Sequence, residues 1–159
     1  MRIVRNVLGL TLGGLILSLA SAHSGDAANA RRAAPAKPVA IKVYKTPSCG
    51  CCKAWVQHIR DNGFQVETMD MPDLSAVKAK YGVKPALQAC HTAVVNGYVV
   101  EGHVPADVIT KLLKEHPAVA GVAVPGMPSG SPGMEGGAKE RYDVLTFDRA
   151  GRTRVYAHK

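Results

Sequence analysis

Asn96-Gly97, set between the apolar runs Thr92–Val95 and Tyr98–Glu101, constrains the fold more than any other stretch of the chain. A two-residue connection between strands closes best as a type I′ turn, in which both central residues take positive φ. Asn tolerates that conformation, and Gly has no Cβ to oppose it. An antiparallel hairpin over 92–101 is therefore predicted. The helix after it has Pro105 at its first position, where a missing N–H costs nothing, and runs to Glu115 with Val108, Ile109, Leu112 and Leu113 inward.

Upstream, Val39–Tyr44 alternates and puts Ile41 and Val43 on one strand face. Thr46-Pro47-Ser48 ends that strand, and the Ser48 hydroxyl is placed to cap a helix through Arg60. Trp55, Val56 and Ile59 form the buried stripe of that helix, and Gly63 lies just past its end. Phe64–Met69 is a second alternating strand. Asp73 or Ser75 then caps a short helix carrying Val77 and Tyr81 and stopping at Gly82. Residues 117–138, rich in Gly and Pro, read as a long loop, and Tyr142–Phe147 with Arg152–Tyr156 as a closing hairpin. The sum is an α/β chain of thioredoxin-like order, βαβαββα, with a Gly/Pro/Met-rich loop and a C-terminal β-hairpin. Its first βαβ unit has parallel strands.

The first residues read as a processing segment. Arg2 and Arg5 precede the apolar run Val7–Ala20, and Ala20-Ser21-Ala22 is a small-x-small cleavage signature. Residues 1–22 are read as a signal peptide, the alternative being an uncleaved anchor. Residues 23–38, rich in Ala, Arg and Pro, are read as a disordered leader, and 39–159 as one domain. The chain is therefore expected to be exported, with no membrane contact after cleavage. The formal net charge of +8, two Phe and one Trp offer no basic helix interleaved with aromatics. Nucleic acid is not an expected partner.

Four cysteines in an exported chain would ordinarily form two disulfides. Three of these four lie within Cys49-Gly50-Cys51-Cys52, where two independent crosslinks are not feasible, and an adjacent Cys51–Cys52 bond would strain disulfide geometry. They stand where the first strand ends and the first helix begins, where outward-pointing amides and the helix dipole acidify a thiol. Cys49 and Cys52 have the spacing of a redox pair. Cys51 is a third thiol that redox catalysis does not need and a multi-thiolate metal site would use.

In a thioredoxin-like topology the residues before the hairpin face the redox motif, and a proline usually stands there. Here the loop reads Ala89-Cys90-His91-Thr92, which adds a thiolate and an imidazole; the alternative is an isolated, buried Cys90. His103, between the hairpin and the last helix, lies at the same edge. Met127 and Met134 lie in Pro125-Gly126-Met127-Pro128 and Ser131-Pro132-Gly133-Met134, and their alternative is an exposed loop. His58 reads as solvated, His116 as interacting with the last helix's terminal carbonyls, and Met69 and Met71 as core or edge. Soft thiolates and thioethers favour Cu(I), whereas mononuclear zinc wants tetrahedral ligands that adjacent cysteines supply poorly. The metal ligands expected are Cys49, Cys51, Cys52, Cys90, His91, His103 and Met127.

Val43-Tyr44-Lys45-Thr46-Pro47-Ser48-Cys49-Gly50-Cys51-Cys52, Cys90-His91-Thr92-Ala93-Val94-Val95-Asn96-Gly97-Tyr98 and Glu101-Gly102-His103-Val104-Pro105-Ala106 resemble the exported CopG-type copper-resistance proteins, formerly a domain of unknown function. The Met127 and Met134 segments are similar to that family's Gly- and Met-containing stretch. The resemblance covers residues 39 to 157 and leaves out the leader. It implies a thioredoxin-like fold, a periplasmic setting, a cysteine-bridged site for more than one copper ion (Cu(I)/Cu(II)), and an oxidoreductase role in copper handling. Partners would be copper ions and other periplasmic copper-handling or redox proteins. The enzyme alternative is a thiol–disulfide oxidoreductase with Cys49 attacking and Cys52 resolving. A structural zinc module is a third reading, which predicts that chelation unfolds the domain.

Overall fold

The computed structural model describes residues 37–159; the signal peptide and nearly all of the leader read from the sequence lie outside the described residues. One seven-stranded sheet runs through the domain. Its strands are β1 (Ala40–Lys45), β2 (Gln65–Asp70), β3 (Thr92–Val95), β4 (Tyr98–Glu101), β5 (Gly121–Ala123), β6 (Asp143–Phe147) and β7 (Thr153–His158), in the order β2-β1-β3-β4-β5-β6-β7. The helices are α1 (Gly50–Asp61), α2 (Ser75–Lys80) and α3 (Ala106–Glu115), with a 3₁₀ turn at Pro85–Leu87. Up to α3 the order is the predicted βαβαββα, and β1 and β2 are parallel as expected.

The β3–β4 hairpin falls where the sequence put it, with Asn96 at φ 45° and Gly97 at φ 85°. The reading of 117–138 as loop throughout is corrected by β5, which pairs parallel with β4 and antiparallel with β6. Three residues buried on both faces carry no alternation to read, and their flanking Gly and Pro look like loop. Through β5 the closing hairpin becomes part of the main sheet.

Alternation along the strands gives the sheet two apolar faces. Ile41, Val43, Ala93, Val95, Val100, Val122 and Val144 meet α1 and α3 through Trp55, Val56, Ile59, Val108, Ile109 and Leu112. Val99, Ala123 and Phe147 point the other way and pack with Val83 and Leu87. Met69 is 41% exposed on β2, an edge strand. No helix among the described residues is long and apolar enough to cross a membrane.

Pro105 stands at the N-cap of α3, one position before the predicted one, and offers no capping side chain. The acceptor comes from α1: His58, read from the sequence as solvated, is half-buried, and its Nε2 accepts from the Ala106 amide at 3.1 Å. Burial holds the His58 pKa below its ordinary 6.5. Protonation removes the acceptor, so the stabilisation is complete above the unfolded-state pKa and is lost as pH falls through the lower folded value. His58→Leu is expected to lower stability by ~1 kcal/mol at neutral pH and to flatten the decline that wild type shows as pH falls below the ordinary histidine range in urea unfolding. Parallel pH profiles for variant and wild type would refute the cap.

Candidate metal centre

The site forms where β1 hands the chain to α1. Pro47 and Ser48 lie in a turn closed by the Cys49 amide donating to Thr46 O at 3.2 Å. This displaces the expected cap by one residue: Cys49, at φ −71° and ψ 102°, is the N-cap, and its Sγ accepts from the Cys52 amide at 3.3 Å. A cysteine sulfur thus does what the Ser48 hydroxyl was expected to do. Cys51 is half-buried on the first turn, and Cys52 is fully buried beneath it.

Cys49 and Cys52 are joined as a disulfide, while Cys51 and Cys90 are free. Cys51 Sγ lies 3.4 Å from Cys49 Sγ and 3.9 Å from Cys90 Sγ. All four sulfurs lie within 4.8 Å of one another, and Cys90, His91 and His103 form a second such group sharing Cys90. Cys90 and His103 meet because the hairpin ladder continues past its ends. Thr92 pairs with Glu101, the Gly102 amide donates to His91 O at 3.0 Å, and the next positions outward are Cys90 and His103.

The two histidines have unlike surroundings. His103 Nδ1 is 2.7 Å from Pro132 O, an acceptor only, so Nδ1 carries the proton and Nε2 keeps its lone pair. That Nε2 lies 2.8 Å from Cys90 Sγ. Burial lowers the His103 pKa and raises that of Cys90 to about 12, helped by the neighbouring Cys51, so the contact is a thiol donating to a neutral imidazole. His91 is buried against the Trp55 ring, 4.2 Å between centroids, with Nδ1 3.6 Å from Cys90 Sγ. Burial depresses its pKa strongly, and its Nε2 is the one buried side-chain nitrogen or oxygen among the described residues without a hydrogen-bond partner.

The backbone contacts by which the Gly/Pro/Met loop closes over this site were not read from the sequence, which offered the loop only through Met127 and Met134. Besides the Pro132 carbonyl on His103, Gly133 at φ +88° comes so near α1 that a Cβ would sit 2.6 Å from Cys51 O and 2.9 Å from Trp55 N. The run Ser131-Pro132-Gly133 was a findable signal, since a glycine in a long loop can mark close backbone approach. Met134 is half-buried in the same loop, whereas Met127 is 52% exposed. The structure thus gathers six of the seven expected ligands and leaves the Met127 side chain largely in solvent.

No curated protein sequence matches the chain. A family described as a protein of unknown function, DUF411, matches residues 87–134, which include Cys90, His91, His103 and the covering loop. Two solved structures, "Copper resistance protein copG- Form 2" and "Form 1", are each 47% identical to the chain with a TM-score of 0.72. Each alignment covers 77% of this chain and 98% of the solved one. Identity of that order over nearly the whole of a solved relative, on the same mixed α/β architecture, places the chain in the CopG family of copper resistance proteins.

Proposed function

We propose that the chain is a periplasmic copper-binding protein of copper resistance, holding Cu(I) in a cysteine-bridged site for more than one ion. The observation that carries this reading is the meeting of four sulfurs at one helix N-terminus, with Cys90 shared by a second group containing two imidazoles. A dithiol enzyme needs two of those sulfurs. Copper can use all of them, because soft thiolates suit Cu(I) and bridging relieves the tetrahedral demand that adjacent cysteines fail to meet.

The donor set fits the ion. His103 offers Nε2 with its tautomer already fixed, and His91 brings Nδ1 to 3.6 Å from Cys90 Sγ while its buried Nε2 has no hydrogen-bond partner. Cys49, Cys51, Cys52 and Cys90 would be the thiolates, and Met127, 52% exposed as the loop stands, would have to turn inward to add a thioether. In the disulfide state Cys49 and Cys52 supply no thiolate. Two electrons and two protons from a dithiol reductant, itself becoming a disulfide, convert them to ligands. Copper then displaces the thiol protons, the one that Cys90 shares with His103 among them. A mixed sulfur–imidazole set would accept copper in either oxidation state, so a change between Cu(I) and Cu(II) there would need an external one-electron donor or acceptor. Export rests on the charged start, apolar run and small-x-small site of residues 1–22.

Reduced protein titrated anaerobically with Cu(I) is expected to take more than one copper per chain, and less after Cys51→Ser or Cys90→Ser. A stoichiometry of one or less, unchanged by Cys51→Ser, would overturn the reading. The Cys49–Cys52 disulfide favours one rival, a thiol–disulfide oxidoreductase. Insulin reduction that survives loss of both Cys51 and Cys90 would decide for that enzyme.

A further inference from the structure

Beneath the Cys90 loop lies a charged cluster that the copper reading does not use. Glu101, at the end of β4, is fully buried, and Lys78, in the last turn of α2, nearly so. Glu101 Oε1 accepts from Lys78 Nζ at 2.5 Å and from the Ala89 amide at 2.7 Å. Its Oε2 accepts from Thr92 Oγ1 at 2.6 Å, and Lys78 Nζ also donates to Thr92 Oγ1 at 3.2 Å. Every oxygen of the carboxylate is engaged.

A buried ion pair is a poor way to gain stability, since apolar residues of similar size often do as well or better. What apolar side chains cannot do is accept the Ala89 N–H. That amide immediately precedes Cys90, and on the other side the His91 carbonyl is held by the Gly102 amide at 3.0 Å. Gly102 also lets the loop seat closely, because a Cβ there would lie 2.7 Å from Ala89 Cβ and 2.5 Å from Val124 O. Cys90 is therefore clamped on both flanks, in a loop that lacks the usual rigidifying proline.

We propose that the Lys78–Glu101–Thr92 cluster is a positioning device that sets Cys90 at bridging distance from Cys51 and within reach of His103. Glu101 is the positioning residue: it touches neither sulfur, and acts through the Ala89 amide in the loop before β3 and through its own neighbours Gly102 and His103 after β4. The inference rests on the copper reading only for what Cys90 is positioned to do; the spacing of the two thiols can be measured without metal.

The probe is phenylarsine oxide, applied to the full chain with Cys49–Cys52 kept as the disulfide. Its arsenic forms two bonds to sulfur as the oxygen leaves with both thiol protons as water, so tight binding requires two neighbouring thiols. Wild type is expected to bind one arsenical across Cys51 and Cys90, whose sulfurs are 3.9 Å apart. Lys78→Met with Glu101→Leu should fold with an unchanged far-ultraviolet spectrum and lose about 10–100-fold in arsenical affinity. Lys78→Met with Glu101→Gln, which restores an acceptor for Ala89, should recover most of it. Wild-type affinity in the Leu variant, or no bridging in wild type, would overturn the inference. Should the Leu variant not fold, Thr92→Val removes one donor from the same carboxylate. About a tenfold loss is expected there, and an unchanged affinity is equally fatal. Arsenical results as expected, together with failure to bind copper, would sink the copper reading and leave the positioning role standing.

Discussion

Gly133→Ala is expected to lift the covering loop off His103 and to cost the fold ~2–4 kcal/mol. Two independent penalties act at one methyl group. The residue sits at φ +88°, a conformation that strains any side chain by about 1–3 kcal/mol. The new Cβ would also lie 2.6 Å from Cys51 O and 2.9 Å from Trp55 N, both backbone atoms of a helix that cannot yield. The loop must move, and with it goes the Pro132 carbonyl that fixes the His103 tautomer. Freed of that partner, His103 can carry its proton on either nitrogen, and copper affinity should fall alongside stability. Thermal unfolding and the ¹⁵N shifts of the His103 ring read the two effects. A variant that keeps the Nδ1–H tautomer and wild-type stability would contradict the packing.

Gly121→Ala should be more damaging still, with an expected loss of about 4 kcal/mol or more. Here φ is ordinary and space alone decides. A Cβ on Gly121 would fall 2.0 Å from Val99 O, its direct partner across the β4–β5 pair. The register cannot slip to relieve this, because Val122 and Ala123 are buried on opposite faces of the sheet and a one-residue shift exchanges them. The sheet would part between β4 and β5, and Val122 and Phe147 would lose their packing. Denaturant unfolding measures the loss. Amide exchange should rise across β5–β7 before it rises in β1–β4, and uniform protection would argue against a break at this seam.

The chain announced some of this plainly and concealed the rest for identifiable reasons. Asn96-Gly97 allowed the hairpin to be read to the residue, because turn chemistry and apolar runs agree there. The hairpin in turn made the meeting of Cys90 and His103 readable, as both lie two positions beyond the paired Thr92 and Glu101. The cap of α1 was read one residue early because a cysteine is an uncommon capping side chain. β5 was hidden by its shortness and its burial on both faces. Lys78 and Glu101 lie 23 positions apart, on a helix end and a strand end, and no local pattern announces that they will share a hydrogen bond. The same holds for His58 on Ala106 and for Gly133 on α1: each depends on how distant segments come to rest against each other.

The His103 ring is held by a sulfur at one nitrogen and by the loop at the other. Two events that share one ring cannot be energetically independent. Whatever improves the hold on Nε2 while Nδ1 keeps its proton also favours the closed loop, and closing the loop must raise affinity at Nε2 by the same factor. The loop and the Nε2 side of the ring are thus linked through one imidazole. If the site holds copper as proposed, a competitor for the Pro132 carbonyl would weaken that hold without touching a single sulfur.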